Sequence, residues 1–453
     1  MKKLLTLSFL LGLSQVQIVA QTNIKQAIEL KSKEIESKVI TWRRDFHEHP
    51  ELGNQEFRTA KIVADHLRSL GIEVTENVAF TGVVGILKGG KPGPVMLLRA
   101  DMDGLPVTER VDVPFKSNVK VTYNEQTTGV MHACGHDSHV AILMGTASVL
   151  ASMKDQIAGT VKFVFQPAEE GVTDKNIAFG ADGMIKAGVL ENPKVDVAFG
   201  LHINSQTPAG MIAYKAGPVM AAVDELNIKI KGKQTHGAYP WEGIDPIVTA
   251  SQIVMGLQTI VSRSVKLTEA PAVVTVGAIH GGIRHNIIPE EVKMIGTIRT
   301  LGREQRILVH KRITAIAKSI GEGAGCQVDV DIVNGYPVTI NDVELTNMMI
   351  PTLYESAGKS MVKEVPTAMG AEDFSYFQEK VPGFFFFLGG MDPKKSSSEA
   401  APHHTPDFYL DESGFTVGVK TFCNLIFNYP ALKNPAPVSS ATGKKKQNKW
   451  LLN

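Results

Sequence analysis

The sequence predicts an α/β protein with a mostly parallel sheet, interrupted by a smaller α+β unit. Two observations predict it. Short apolar runs alternate with segments of helical periodicity through the first 216 residues, and the α/β part resumes after residue 335. Between them, from about Gly217, half-exposed strands and helices follow in the order β-α-β-β-α-β, the ferredoxin-like pattern. The composition is that of a globular chain: 453 residues, 43% hydrophobic, 21% charged, enough for about two or three domains. It excludes a disordered or collagen-like protein. Three cysteines exclude a disulfide scaffold. Lys plus Arg is 47 against 46 for Asp plus Glu, so there is no electrostatic reason to expect nucleic acid as a partner.

The elements follow in order. Met1 to Lys3 is basic, Leu4 to Leu13 is apolar, and Ile18-Val19-Ala20 precedes a cleavage point before Gln21. This predicts a secretory signal peptide over 1–20 and a periplasmic or secreted protein; an uncleaved anchor is the alternative. No later stretch is long and apolar enough to span a bilayer. Asn23 to Leu70 reads as helix, with Gly71 at its C-terminal end. Strands are predicted at Val83 to Leu87, Val95 to Leu98, Val161 to Phe165 and Val195 to Leu201, with a helix over Val140 to Met153. These make up the first part of the α/β domain, 21–216. The inserted unit, 217–334, has strands at Asp224 to Ile230, Val273 to Ile279, Lys293 to Thr300 and Cys326 to Val333. Its helices lie at Ile247 to Ile260 and Arg306 to Ile320. The α/β domain resumes over 335–433. Residues 434–453 form a Pro/Ser-rich, then basic, tail expected to be disordered.

Four segments carry chemistry. Met131 to His139 holds three histidines, a cysteine and an aspartate within nine positions, beside a glycine. A thiolate and an imidazole two residues apart, in a turn before a helix, can converge on one ion or on two neighbouring ions. The second is Gln166-Pro167-Ala168-Glu169-Glu170-Gly171, directly after an apolar strand. Parallel sheets place ligands at the carboxyl ends of their strands, and adjacent glutamates can divide between metal binding and general base. Taken alone, the pair would read as a solvated acidic turn. His202 closes another strand, and His403-His404 sit in a Pro-bounded loop. Together these supply five ligands and a spare carboxylate. One catalytic zinc usually takes three protein ligands, so five suit a two-metal site.

These motifs resemble the M20 family of metallopeptidases, in its amidohydrolase branch of aminoacylase-like, hippurate-hydrolase-like and auxin-conjugate hydrolases. The likeness is carried by Leu97-Leu98-Arg99-Ala100-Asp101-Met102-Asp103-Gly104-Leu105-Pro106 and by His132 to His139. It continues through Gln166 to Gly171, Gly200-Leu201-His202, Gly370-Ala371-Glu372-Asp373-Phe374-Ser375 and His403-His404-Thr405-Pro406. It implies a di-metal catalytic domain with a ferredoxin-like lid or dimerisation domain. It implies Cys134, His136, Glu170, His202 and His404 as metal ligands and Glu169 as general base. His404 is preferred to His403 because it directly precedes Thr405-Pro406. Asp103 is expected as a supporting carboxylate, and His132 and His139 as supporting or packing residues. In the insert, Gly232 to Pro240 matches the family's histidine motif and implies His236 as an oxyanion donor, in relatives often supplied to a partner subunit. Gly281 to Pro289 implies a substrate contact at Asn286. Charge alone suggests Arg284 for a substrate carboxylate.

The resemblance implies amide hydrolysis by a metal-activated water, the cofactors being two divalent ions (Zn, Mn, Co or Ni). The expected substrate is an N-acyl amino acid, or a short peptide if the protein is a carboxypeptidase or dipeptidase. A homodimer through the insert is expected. A non-catalytic exported binding protein is the competing class, and it would have no need of Glu169. Cys326 and Cys423 are expected to be buried free thiols.

Overall fold

The computed structural model describes residues 2–172 and 177–433, with side chains from Asn23 onward. The side chains of the expected signal peptide, 1–20, and the basic tail, 434–453, lie outside the described residues. Helix α1 (Lys2–Glu48) is separated from α2 (Phe57–Ser69). The single helix expected up to Leu70 is therefore broken: Pro50 disfavours helix at its predecessor, and Asn54 takes a left-handed φ of 59°. Gly71, at φ 73°, follows the end of α2.

Strands β1 (Glu73–Val78), β2 (Gly82–Lys88) and β3 (Lys91–Asp101) come next, then α3 (His136–Ser152), β4 (Ala158–Gln166) and β5 (Val197–Pro208). The insert consists of β6 (Ala222–Lys231), α4 (Pro246–Thr259), β7 (Ala272–Gly281), β8 (Glu291–Thr300), α5 (Arg303–Gly323) and β9 (Gln327–Asn334). The chain returns through α6 (Val343–Ala357), β10 (Gly383–Met391) and α7 (Phe415–Lys433). The large sheet runs β1-β2-β4-β3-β5-β10 and is completed by Ile212–Tyr214 and Val362–Glu364. Its centre, β4-β3-β5-β10, is parallel, while β1 and β2 join antiparallel.

The central strands are buried on both faces, as parallel strands require. Met96 and Leu98 of β3 and Phe163 and Phe165 of β4 join the core beneath α1, α3 and α7. Their neighbours Leu97 and Val164 join the opposite core with Ala198, Phe374 and Phe385. Helix α3 is apolar almost all round and buried throughout its first twelve residues, the pattern of a helix inside a core. Of the strands labelled here, two escaped the sequence patterns. β1 is a polar edge strand without apolar alternation, and β10 is a continuous run of phenylalanines.

The insert's sheet is antiparallel in the order β7-β8-β6-β9. In chain order within the insert that is 2-3-1-4, the ferredoxin-like arrangement. It has a core of its own, including Leu226, Ile228, Ile253, Leu257, Met294 and Ile313. Asp245 caps α4 through the backbone N–H groups of Ile247 and Val248. The two chain crossings run side by side as an antiparallel pair, Gly217–Met220 with Thr339–Asn341. No described helix is long and apolar enough to cross a membrane.

Candidate metal centre and active site

The candidate site lies where the parallel strands end. β3 delivers Asp101 and the following Asp103, β4 the turn 167–170, and β5 His202, while α3 begins with His136. Gly135 caps α3 at φ 94°, and a Cβ there would stand 2.4 Å from Ile203. Only glycine lets Cys134 and His136 approach β5 this closely.

The structure brings Cys134, His136, Glu170, His202 and His404 together. Cys134, His136 and Glu170 place ligand atoms within 4.8 Å of one another. His202 Nε2 lies 3.5 Å from the Cys134 sulfur, and His404 Nε2 lies 3.2 Å from it. His404 Nε2 is also 3.0 Å from Glu170 Oε1, yet that oxygen has no well-aligned hydrogen bond among the described residues. Two groups close together but not aligned with each other are what ligands converging on a common point look like. His202 donates from Nδ1 to the Ile203 carbonyl at 2.6 Å, leaving the Nε2 lone pair toward Cys134. His136 Nδ1 is paired with Asp103 at 3.2 Å, and its buried Nε2 has no partner among the described residues. A second nitrogen tied to a carboxylate or carbonyl is the usual support for a metal-bound imidazole. These orphaned donors fit a metal site.

Two neighbouring histidines, His139 and His403, are spent. His139 pairs its Nδ1 with Asp101 at 2.5 Å, and its Nε2 accepts the Ile203 N–H. His403 Nε2 accepts the Ser205 N–H at 3.2 Å, which puts its proton on Nδ1, 3.6 Å from the Cys134 sulfur. His403 thus donates to the sulfur, whereas His404 has its Nε2 facing Cys134 and Glu170. His132 is buried with neither ring nitrogen hydrogen-bonded, and burial pushes it down to about 3.

Asp103 supports the centre by three bonds. Besides His136, it accepts the Glu169 N–H at 3.0 Å and the Glu170 N–H at 2.8 Å. The turn is strained, with Ala168 at φ 52°, and the Ala168 N–H is held by buried Glu56 at 2.8 Å. Glu169 is buried beside Glu372 and Asp373. Burial, then Glu372, Glu170 and Asp373, push its carboxyl well above the ordinary range, with Arg99 opposing. Arg99 is itself fully buried and bonds Gln166, Asp101, Glu372 and Asp373 at 2.6–2.9 Å. Against burial, Asp101 and Asp103 raise His136 to about 10. Among these groups Arg99 is the one permanent cation beside Asp101, Glu169, Glu372 and Asp373, an imbalance that divalent ions would relieve.

The sequence motifs named the Arg99 and Glu372-Asp373 segments without a role. Their signal was a charged residue inside an apolar strand and an acidic pair between apolar neighbours. The residues expected in the insert form a second group. His236 pairs in register with Ile287, and the Gly237 N–H donates to the Asn286 carbonyl at 2.8 Å. Asn286 and the exposed Arg284 therefore sit beside His236. None of the three hydrogen-bonds the donor cluster among the described residues. A large cavity of about 1060 Å³ lies elsewhere, at the base of the insert, lined by Arg303, Ile307, Pro337, Tyr376 and Lys380 among others, and it contains none of the donor residues.

Residues 97–428 match peptidase family M20/M25/M40. The chain belongs to that family. This M20 protein is 44% identical over 389 residues to thermostable carboxypeptidase 2 of Saccharolobus solfataricus, covering 85% of this chain and 94% of the relative. It is 38% identical over 399 residues to an N-acetylcysteine deacetylase of Bacillus subtilis, covering 87% and 98%. The crystal structure of the Bacillus subtilis YXEP protein, a dinuclear metal binding peptidase of the M20 family, matches it with a TM-score of 0.73 at 35% identity. That match covers 88% of this chain and 99% of the other. The M20 protein is accordingly a metal-dependent amidohydrolase or peptidase.

Proposed function

We propose that the protein hydrolyses N-acyl amino acids to a carboxylic acid and a free amino acid, with Glu169 as general base beside two divalent metal ions. The observation that carries this is the division of labour in one turn. Glu170 turns toward Cys134, His136 and His404, while its neighbour Glu169 stays out of that group, buried beside Glu372 and Asp373. A pure binder has no use for such a base. Cys134, His136, Glu170, His202 and His404 would hold the ions. The thiolate and three imidazoles favour Zn, with Mn, Co and Ni the other candidates. When bound, such ions polarise a carbonyl and lower the pKa of a water toward neutrality. Glu169 accepts the attacking water's proton on its carboxylate and returns it to the leaving nitrogen, so the C–N bond breaks to acid and amine.

His236 is proposed as the oxyanion donor. Its Nδ1 accepts the Ala238 N–H at 3.0 Å, which leaves an exposed Nε2–H to donate. It acts from a closed insert or from a partner subunit, with Asn286 and Arg284 beside it to receive the substrate carboxylate. A dimer through the insert is supported by edge strand β7 with Ile279 52% exposed, and by Val248 and Met255 on α4 at 55% and 70%. Next to Glu170 a recess of about 140 Å³ is lined by Leu52, Gly53, Gln55, Leu105, Pro106 and Tyr123 among others. At about 30 Å³ per water, its size suits a short acyl group. Cleavage of short peptides is the second reading, favoured by the 44% identity to a carboxypeptidase. The N-terminal pattern supports export, which N-terminal sequencing of the mature protein tests.

The deciding assay is a panel of N-acyl amino acids and dipeptides, with and without added Zn or Mn. Metal-dependent release of amino acid from the acyl substrates is expected. Faster cleavage of peptides moves the assignment to the second reading, and no hydrolysis of either overturns both. Glu169→Gln should abolish turnover and keep its metal; loss of the metal would place Glu169 among the ligands.

A further inference from the structure

The insert joins the rest of the chain through two crossings that are tied to each other and to the turn carrying Glu169. The Val223 N–H donates to the Tyr336 carbonyl, and the Gly335 N–H to the Val223 carbonyl, each at 3.1 Å. Asp224 gathers this knot. It accepts Arg306 Nε at 3.0 Å, His310 Nε2 at 2.7 Å and the Gly335 N–H at 3.2 Å. Arg306 also donates to the Gly335 carbonyl at 3.1 Å. Next in the chain, Tyr336 leaves the knot and reaches the active site. Its hydroxyl donates to the backbone carbonyl of Glu169, and its ring stands edge-on to Tyr376.

The other restraints on this turn come from the α/β body: Glu56 on the Ala168 N–H, Asp103 on the Glu169 and Glu170 N–H groups, and the Asp373 N–H, which donates to Glu169 Oε1 at 3.4 Å. Tyr336 alone comes from the crossing. The same crossings also grip the Gly370–Asp373 segment, through the Ala221 N–H to the Gly370 carbonyl at 2.9 Å and Thr339 Oγ1 to the Glu372 carbonyl at 3.2 Å.

We infer that Tyr336 is a positioning residue that couples the orientation of the inserted unit to the placement of Glu169. This rests on the assignment of Glu169 as the base. Rotation of the insert pulls on the Asp224 knot, the knot carries Tyr336, and the phenol moves the Glu169 peptide. The base is then aligned in the orientation that also brings His236 toward substrate, so the two groups are delivered together.

The test uses Tyr336→Phe, which removes only the hydroxyl, and Arg306→Lys, which keeps the charge but loses the fork on Asp224. In the metal-free protein, hydrogen exchange of the peptide spanning 167–171 should quicken about fivefold in each, the scale of one hydrogen bond. In the metal-loaded enzyme, kcat should fall roughly 5- to 10-fold with KM and metal content unchanged. The double variant should be no slower than the slower single one, because both act on one linkage. Wild-type exchange in Arg306→Lys overturns the coupling. So do multiplicative kcat losses, and so does faster exchange with undiminished kcat. A wild-type protein that hydrolyses no amide defeats the assignment of Glu169, and the exchange measurements then still decide the coupling.

Discussion

Replacing Asp103 by asparagine tests how the proposed metal ligands are held. The side chain now serves three donors: His136 and the Glu169 N–H on one oxygen, the Glu170 N–H on the other at 2.8 Å. An amide offers one accepting oxygen and one NH₂. If the oxygen keeps His136 and Glu169, the NH₂ meets the Glu170 N–H donor to donor. If the amide flips, His136 and Glu169 are both deserted. The better arrangement strands one partly buried N–H, a loss of about 1–3 kcal/mol. It also removes the negative charge that makes His136 a stronger ligand, and loss of such an outer partner lowers metal affinity about 10- to 100-fold. Denaturant unfolding of the metal-free protein measures the first effect, and competition with a chromophoric chelator measures the second. Activity should recover toward wild type as metal is added in excess. Wild-type affinity and stability in Asp103→Asn would refute the support role and leave His136 oriented by something else.

Cys134→Ser should lower metal occupancy, since a hydroxyl is a poor substitute for a thiolate; full occupancy by elemental analysis would remove Cys134 from the ligand set. His236→Ala should cost about 10²–10³-fold in kcat with metal content intact. Mixing it with Glu169→Gln restores activity only if the donor acts across a dimer, and an unchanged kcat makes His236 an ordinary surface residue. Asp224 is held below the ordinary carboxylate range; burial opposes this, and the bonds from His310 and Arg306 outweigh it. A depressed folded pKa stabilises above the unfolded value of about 3.9 and is lost as pH falls through the folded value. The melting-temperature gap between wild type and Asp224→Asn should therefore be full at neutral pH and narrow below about pH 4; a gap independent of pH contradicts this.

Local patterns were enough wherever the information lay within a few residues. The short apolar runs of the central strands and the period-2 and 3.6-residue repeats of the insert needed no partner to be seen, because both follow from backbone geometry and burial. His132 to His139 and Gln166 to Gly171 were legible for the same reason: each packs several donor types into one turn. The insert's strand order emerged from the succession of elements alone. The limits are as instructive. β1 escaped because an exposed edge strand needs no apolar face, and the break at Pro50 was hidden by apolar residues continuing at helical spacing on both sides.

What only the tertiary structure decided is how each polar group spends its hydrogen bonds. By residue type and spacing His139 is as good a ligand as His136, and only the family motif set them apart. In the fold its two nitrogens are consumed by Asp101 and the Ile203 N–H, whereas His136 keeps one free. His403 and His404 are neighbours, but a single N–H from Ser205 sets the tautomer of the first. Tyr336 and Glu169 are 167 positions apart, and nothing local to either predicts the bond between them. The physical reason is common to all three. A side chain's residue type determines which bonds it can make, but its partners are brought by strands and loops remote in sequence, and the partners determine which bond is left for chemistry.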